Sequence, residues 1–104
     1  MSSRVSSRKK AFSISGADQS SEWIGIQGDA MLVLRGTWSA IVHIQRTTDN
    51  GETIDDVTDN NGNVKTISAN GTYTFSEPTR KAKYRVTVKS GNYTSGTITG
   101  EIEQ

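Results

Sequence analysis

Cysteine is absent from this chain of 104 residues. Its absence excludes a disulfide framework, a thiolate metal centre and a cysteine nucleophile, and leaves the redox compartment open. Proline occurs once, at Pro78, histidine once, at His43, and leucine only at Leu32 and Leu34. Long apolar runs are missing as well. The longest, Ala30 to Leu34, is far short of the roughly 20 residues a helix needs to cross a bilayer. The first ten residues, MSSRVSSRKK, lack the apolar centre of a secretory leader. The chain therefore reads as soluble and made in the cytoplasm. Charge of one sign is lacking too: the net charge of +1 gives little long-range attraction to a polyanion such as nucleic acid.

What is present points to strands. Isoleucine and valine together number 16, and serine and threonine 13 each. β-Branched side chains fit a pleated surface better than a helix. Apolar residues alternate with polar ones over short runs, which predicts about eight strands: Phe12 to Ile14, Ile24 to Ile26, Met31 to Arg35, Trp38 to Arg46, Val64 to Ser68, Thr72 to Ser76, Tyr84 to Lys89 and Thr97 to Glu103. Turn residues separate them, notably Asp49-Asn50-Gly51-Glu52, Asp59-Asn60-Asn61-Gly62-Asn63, Asn70-Gly71 and Ser90-Gly91-Asn92. This spacing suits an all-β antiparallel sandwich, immunoglobulin-like or jelly-roll-like. Its expected core is Ile14, Ile24, Ile26, Leu32, Trp38, Val42, Ile44, Tyr73, Phe75, Tyr84, Val86, Val88, Ile98 and Ile102, with residues 11–104 forming the domain. Residues 1–10 carry Arg4, Arg8, Lys9 and Lys10 and no acid, and read as a disordered basic arm ahead of the domain.

Few residues promise chemistry. His43 lies in mid-strand between Val42 and Ile44, so it is expected on the wetter face. No G-x-S-x-G turn accompanies it. Asp49, Glu52, Asp55, Asp56 and Asp59 cluster within eleven residues. An oxygen-rich calcium loop would need Gly at its sixth position, and counting back from Gly62 puts Val57 at the first, so no metal or other cofactor is expected. Arg80, Lys81, Lys83, Arg85 and Lys89 cluster within ten residues. With the arm they hold nine of the twelve cations. Stacking of single-stranded nucleic acid on nearby Tyr84 and Tyr93 is one use for such a strand, but Tyr84 shares the face of Val86 and Val88. The acidic and basic clusters are instead expected to be complementary, one meeting the other on a neighbouring copy or a scaffold, which fixes register and partner choice.

Gly36-Thr37-Trp38-Ser39-Ala40, with Val42, Ile44, Gln45 and Arg46, followed by Tyr84-Arg85-Val86 and Lys89-Ser90-Gly91-Asn92-Tyr93-Thr94-Ser95-Gly96-Thr97, resembles small all-β virion proteins encoded in the structural gene blocks of tailed bacteriophages. The resemblance covers residues 36 to 103. The turn at Asp49-Asn50-Gly51-Glu52 lacks the aromatic residue that often follows in that group, and the first ten residues have no counterpart there. The resemblance implies a non-enzymatic role on the capsid, neck or tail, with other virion proteins or further copies of the chain as partners. The alternatives are a carbohydrate- or surface-binding sandwich, with Trp23, Trp38 or Tyr93 stacking a sugar ring, and a single-stranded nucleic-acid binder.

Overall fold

The computed structural model describes residues 9–58, 61–79 and 81–104. The expectations attached to Arg4, Arg8, Asp59 and Arg80 lie outside the described residues. Twelve short strands run in chain order: β1 (Lys9–Ile14), β2 (Gln19–Ser20), β3 (Ile24–Gly25), β4 (Gly28–Arg35), β5 (Trp38–Ala40), β6 (Val42–Thr47), β7 (Asp55–Asp56), β8 (Thr66–Ile67), β9 (Gly71–Glu77), β10 (Lys83–Val88), β11 (Tyr93–Gly96) and β12 (Ile98–Glu103). Every ladder is antiparallel, and among the described residues there is no helix.

The strands form two principal sheets and a small ribbon. The first sheet has the order β1-β12-β4-β9. The second has β2-β10-β6-β7, with β3 also on β10 and β8 also on β6, and the ribbon pairs β11 with β5. Alternation along each strand sends one set of side chains between the sheets. Leu32, Leu34, Ile98 and Ile102 come from the first sheet, and Val42, Ile44, Val86 and Val88 from the second, all in one buried cluster. The Phe75 ring of β9 lies 4.7 Å from the Tyr84 ring of β10, bridging the layers. Burial of each large aliphatic side chain stabilises the fold by about 1.5–3 kcal/mol. Of the expected core, Trp38, Tyr73 and Phe75 are only half-buried against the cluster, and Ala30, Leu34, Ala40, Ile67 and Ala82 join it.

Three expectations need correction. The single strand Trp38 to Arg46 is two strands. Ile41 breaks it, its N–H donating to the Asn92 carbonyl at 2.8 Å, so that β5 pairs with β11 while β6 enters the second sheet. Lys9 and Lys10 are not part of a disordered arm: they open β1, opposite Glu103 and Ile102 of β12. Carboxylates support this cationic start, Glu101 lying 3.7 Å from Lys9 and Glu22 2.9 Å from Lys10. His43 is buried, 9 % exposed, rather than wet. It faces Thr87 across the ladder and Thr66 on β8, and the Asp56–Lys89 pair flanks it.

Candidate interaction face of the second sheet

Strands β6 and β10 are paired with Gln45 opposite Arg85 and His43 opposite Thr87. Because side chains alternate, the register that buries Ile44 and Val86 sends His43, Gln45, Arg85 and Thr87 to the outer face together. There they form a connected row. The Arg85 guanidinium sits 4.5 Å over the Trp23 ring. Arg85 Nε donates to Gln45 Oε1 at 2.9 Å, Gln45 Nε2 donates to Asp56 Oδ1 at 3.1 Å, and Lys89 Nζ pairs with Asp56 Oδ2 at 2.5 Å. Thr87 and Ser20 hydroxyls meet at 2.7 Å beside it. Among the described residues, His43 Nδ1 is buried and meets no hydrogen-bond partner. Burial first, then the Lys89 ammonium, holds the His43 imidazole below its ordinary range, while Asp56 opposes them. Hydrogen bonds from Lys89 and Gln45 outweigh desolvation and hold the Asp56 carboxyl below the usual carboxylate range.

The opposite face of the same ladder carries a second polar group, which points inward. Arg46 grips Glu77 with two bonds, Nε to Oε1 at 2.5 Å and Nη2 to Oε2 at 3.0 Å. Tyr84 Oη donates to Glu77 Oε1 at 2.7 Å, and the Thr79 N–H to Oε2 at 3.0 Å. Glu77 is only 2 % exposed. Chiefly through the Arg46 bond, its carboxyl is held down at about 2, and burial together with Glu77 pushes the Tyr84 phenol up to about 12.

Within one chain, the charged clusters read from the sequence touch at a single ion pair among the described residues. Lys89 takes Asp56, Lys83 Nζ donates to Asn50 Oδ1 at 2.8 Å, and Arg85 is joined to Asp56 through Gln45. Asp49 organises its own turn: its Oδ1 accepts from Thr47 Oγ1 and from the Thr53 N–H, both at 2.8 Å, around Asn50 and Gly51 at positive φ. Glu52, Asp55 and Lys81 are exposed. The three aromatic residues considered as sugar platforms are engaged. Trp23 lies under Arg85, Trp38 Nε1 donates to Asn70 Oδ1 at 2.7 Å, and Tyr93 Oη donates to the Gly96 carbonyl at 2.8 Å. Glu77 was not singled out in the sequence, and neither the contact of Trp23 with Arg85 nor the pairing of Arg46 with Glu77 was read there. Period-2 counting from Arg85 and Tyr84 finds their faces, but not Trp23 or Glu77, which arrive from other segments.

Two glycine-bearing stretches far apart in the sequence come together in space. Residues 36–41 and 89–97 cross as the β5–β11 ribbon, with Gly96 opposite Trp38, Ser95 opposite Ser39 and Tyr93 opposite Ala40. The Thr97 N–H reaches the Thr37 carbonyl at 3.2 Å. Lys89 begins this segment and also ends the outer row, so the ribbon and the charged face are continuous. Comparison of the chain with protein-family models, curated proteins and solved structures gives no match.

Proposed function

We propose that this chain is a non-enzymatic structural protein of a tailed-phage virion, an accessory component that binds the capsid or neck surface through the outer face of its second sheet. The observation that carries the reading is the β5–β11 ribbon: two of the stretches behind the resemblance, far apart in sequence, form one structural unit. The row from Trp23 to Lys89 supports a docking role. Its side chains are held by one another, so little rotamer freedom remains to be lost when a partner arrives. A guanidinium stacked on an aromatic ring is a common centre of binding energy at interfaces.

Mass spectrometry of purified particles from the phage that carries this gene is the direct test, with the chain expected among the virion proteins. Co-sedimentation of the purified chain with those particles tests the surface. Arg85→Glu combined with Lys81→Glu is expected to weaken particle binding on the order of tenfold and to flatten its salt dependence, with the melting temperature changed by a few degrees at most. Absence from purified particles overturns the reading. Undiminished binding by the double variant removes this face from it.

A further inference from the structure

We infer that the free edge of β9 is a self-pairing surface, at which a second copy of this chain adds its own β9 antiparallel across a two-fold axis. β9 ends the first sheet and pairs only with β4, so among the described residues no strand covers its other side. A row of unpaired backbone groups of this length invites strand addition unless it is blunted. The remaining edges are short or blunted. β1 opens with Lys9 and Lys10, and β2, β3, β7 and β8 have two residues each. From Gly71 to Ser76, β9 carries no charge and no proline.

The edge also opens onto unfilled space. A groove of about 350 Å³ lies beside it, where Ile44, Val57, Tyr73, Phe75 and Tyr84 share the lining with Lys65 and the hydroxyl residues Thr58, Thr74 and Ser76. Next to Lys65, Val64 is 47 % exposed. Aromatic and aliphatic side chains mixed with hydroxyls beside an open strand edge let an added strand gain hydrogen bonds from the edge and burial from alternate side chains.

The occupant is a second copy because the β9 sequence complements itself. A two-fold axis at Thr74 sets Thr74 opposite Thr74, Ser76 opposite Thr72 and Glu77 opposite Gly71 of the second copy. On the inner face it sets Phe75 opposite Tyr73. Hydroxyl pairs on one face and aromatic pairs on the other are favourable cross-strand neighbours, and no like charges meet. An isologous contact of this kind closes on itself and yields a dimer rather than a fibre. The inference concerns the free chain and does not depend on the virion reading.

Sedimentation of the free chain over a wide concentration range tests it. The wild type is expected to dimerise. Thr74 is exposed, so Thr74→Lys and Thr74→Glu are expected to keep the fold, checked by circular dichroism. Each sets two like charges face to face at the axis, and each should raise the dimer dissociation constant on the order of tenfold, more at low salt. An equimolar mixture of the two variants should regain the dimer as a Lys–Glu pair. A wild type that stays monomeric at every concentration overturns the inference. So do variants that dimerise as well as the wild type, or a mixture that stays monomeric.

Discussion

Replacing Glu77 by Gln is expected to lower the melting temperature on the order of 10–20 °C, corresponding to a loss of about 3 kcal/mol. The carboxylate is nearly inaccessible, at 2 % exposure, and accepts bonds from Arg46, Tyr84 and Thr79. Removing its charge leaves the Arg46 guanidinium, 31 % exposed, without its ion-pair partner. Breaking one side of such a pair costs more than the pair contributes, because the partly desolvated group left behind loses its ionic partner. A double variant, Glu77→Leu with Arg46→Met, removes both charges and is therefore expected to recover most of the loss. Tyr84→Phe removes one hydrogen bond to the carboxylate and should cost about 1 kcal/mol. If Glu77→Gln melts within a few degrees of the wild type, water already serves these ions and the cluster is not a buried one.

The same cluster sets an acid limit. The Glu77 carboxyl titrates at about 2 in the folded chain, below its ordinary 4.5. A depressed carboxyl contributes stability that is fully present above pH 4.5 and is lost as the pH falls from there to about 2. The Tyr84 phenol is raised from 10 to about 12, so its contribution is complete below pH 10 and is lost as the pH rises to about 12. Thermal melts across pH should show a plateau between these limits. In Glu77→Gln the acid slope should be shallower than in the wild type.

The sheet architecture was legible because burial of one face imposes period 2, which Ile98 and Ile102 obey without interruption and Val86 and Val88 keep although Thr87 between them is also buried. The site was less legible. Asp56 and Lys89 are 33 residues apart and stand in opposite charge clusters, so composition alone suggests two separate faces. Only the β6–β7 and β6–β10 registers bring them together. His43 was misread for the same reason: alternation gives the face on which a side chain lies, but not whether that face is covered. Lys9 and Lys10 were misassigned because a cationic pair has no apolar signal. Their place in a strand comes from pairing with Glu103 and Ile102 of β12, which lie far along the chain. The break at Ile41 is invisible to periodicity, since Trp38, Ala40, Val42 and Ile44 keep one parity across it.

Gly96→Ala is expected to cost on the order of 3–5 kcal/mol, enough to unfold a chain of this size near physiological temperature. Two separate physical terms act at this residue. Its φ is +87°, a conformation that costs an L side chain about 1–2 kcal/mol. In addition, a Cβ there would meet the Thr37 carbonyl oxygen at 2.2 Å and the Trp38 Cα at 2.6 Å. Both obstacles are backbone, so neither can rotate away, and relief requires β5 and β11 to part. Gly91 separates the two terms. Its φ is +86°, yet nothing lies within 4 Å of a Cβ built on it. Gly91→Ala should therefore cost only the conformational share, about 1–2 kcal/mol. The excess for Gly96→Ala over Gly91→Ala, read from denaturant midpoints at a common slope, measures how tightly the ribbon is closed. Equal losses for the two variants would mean that β5 and β11 separate at little cost. Gly96 would then be serving a turn and not a crossing.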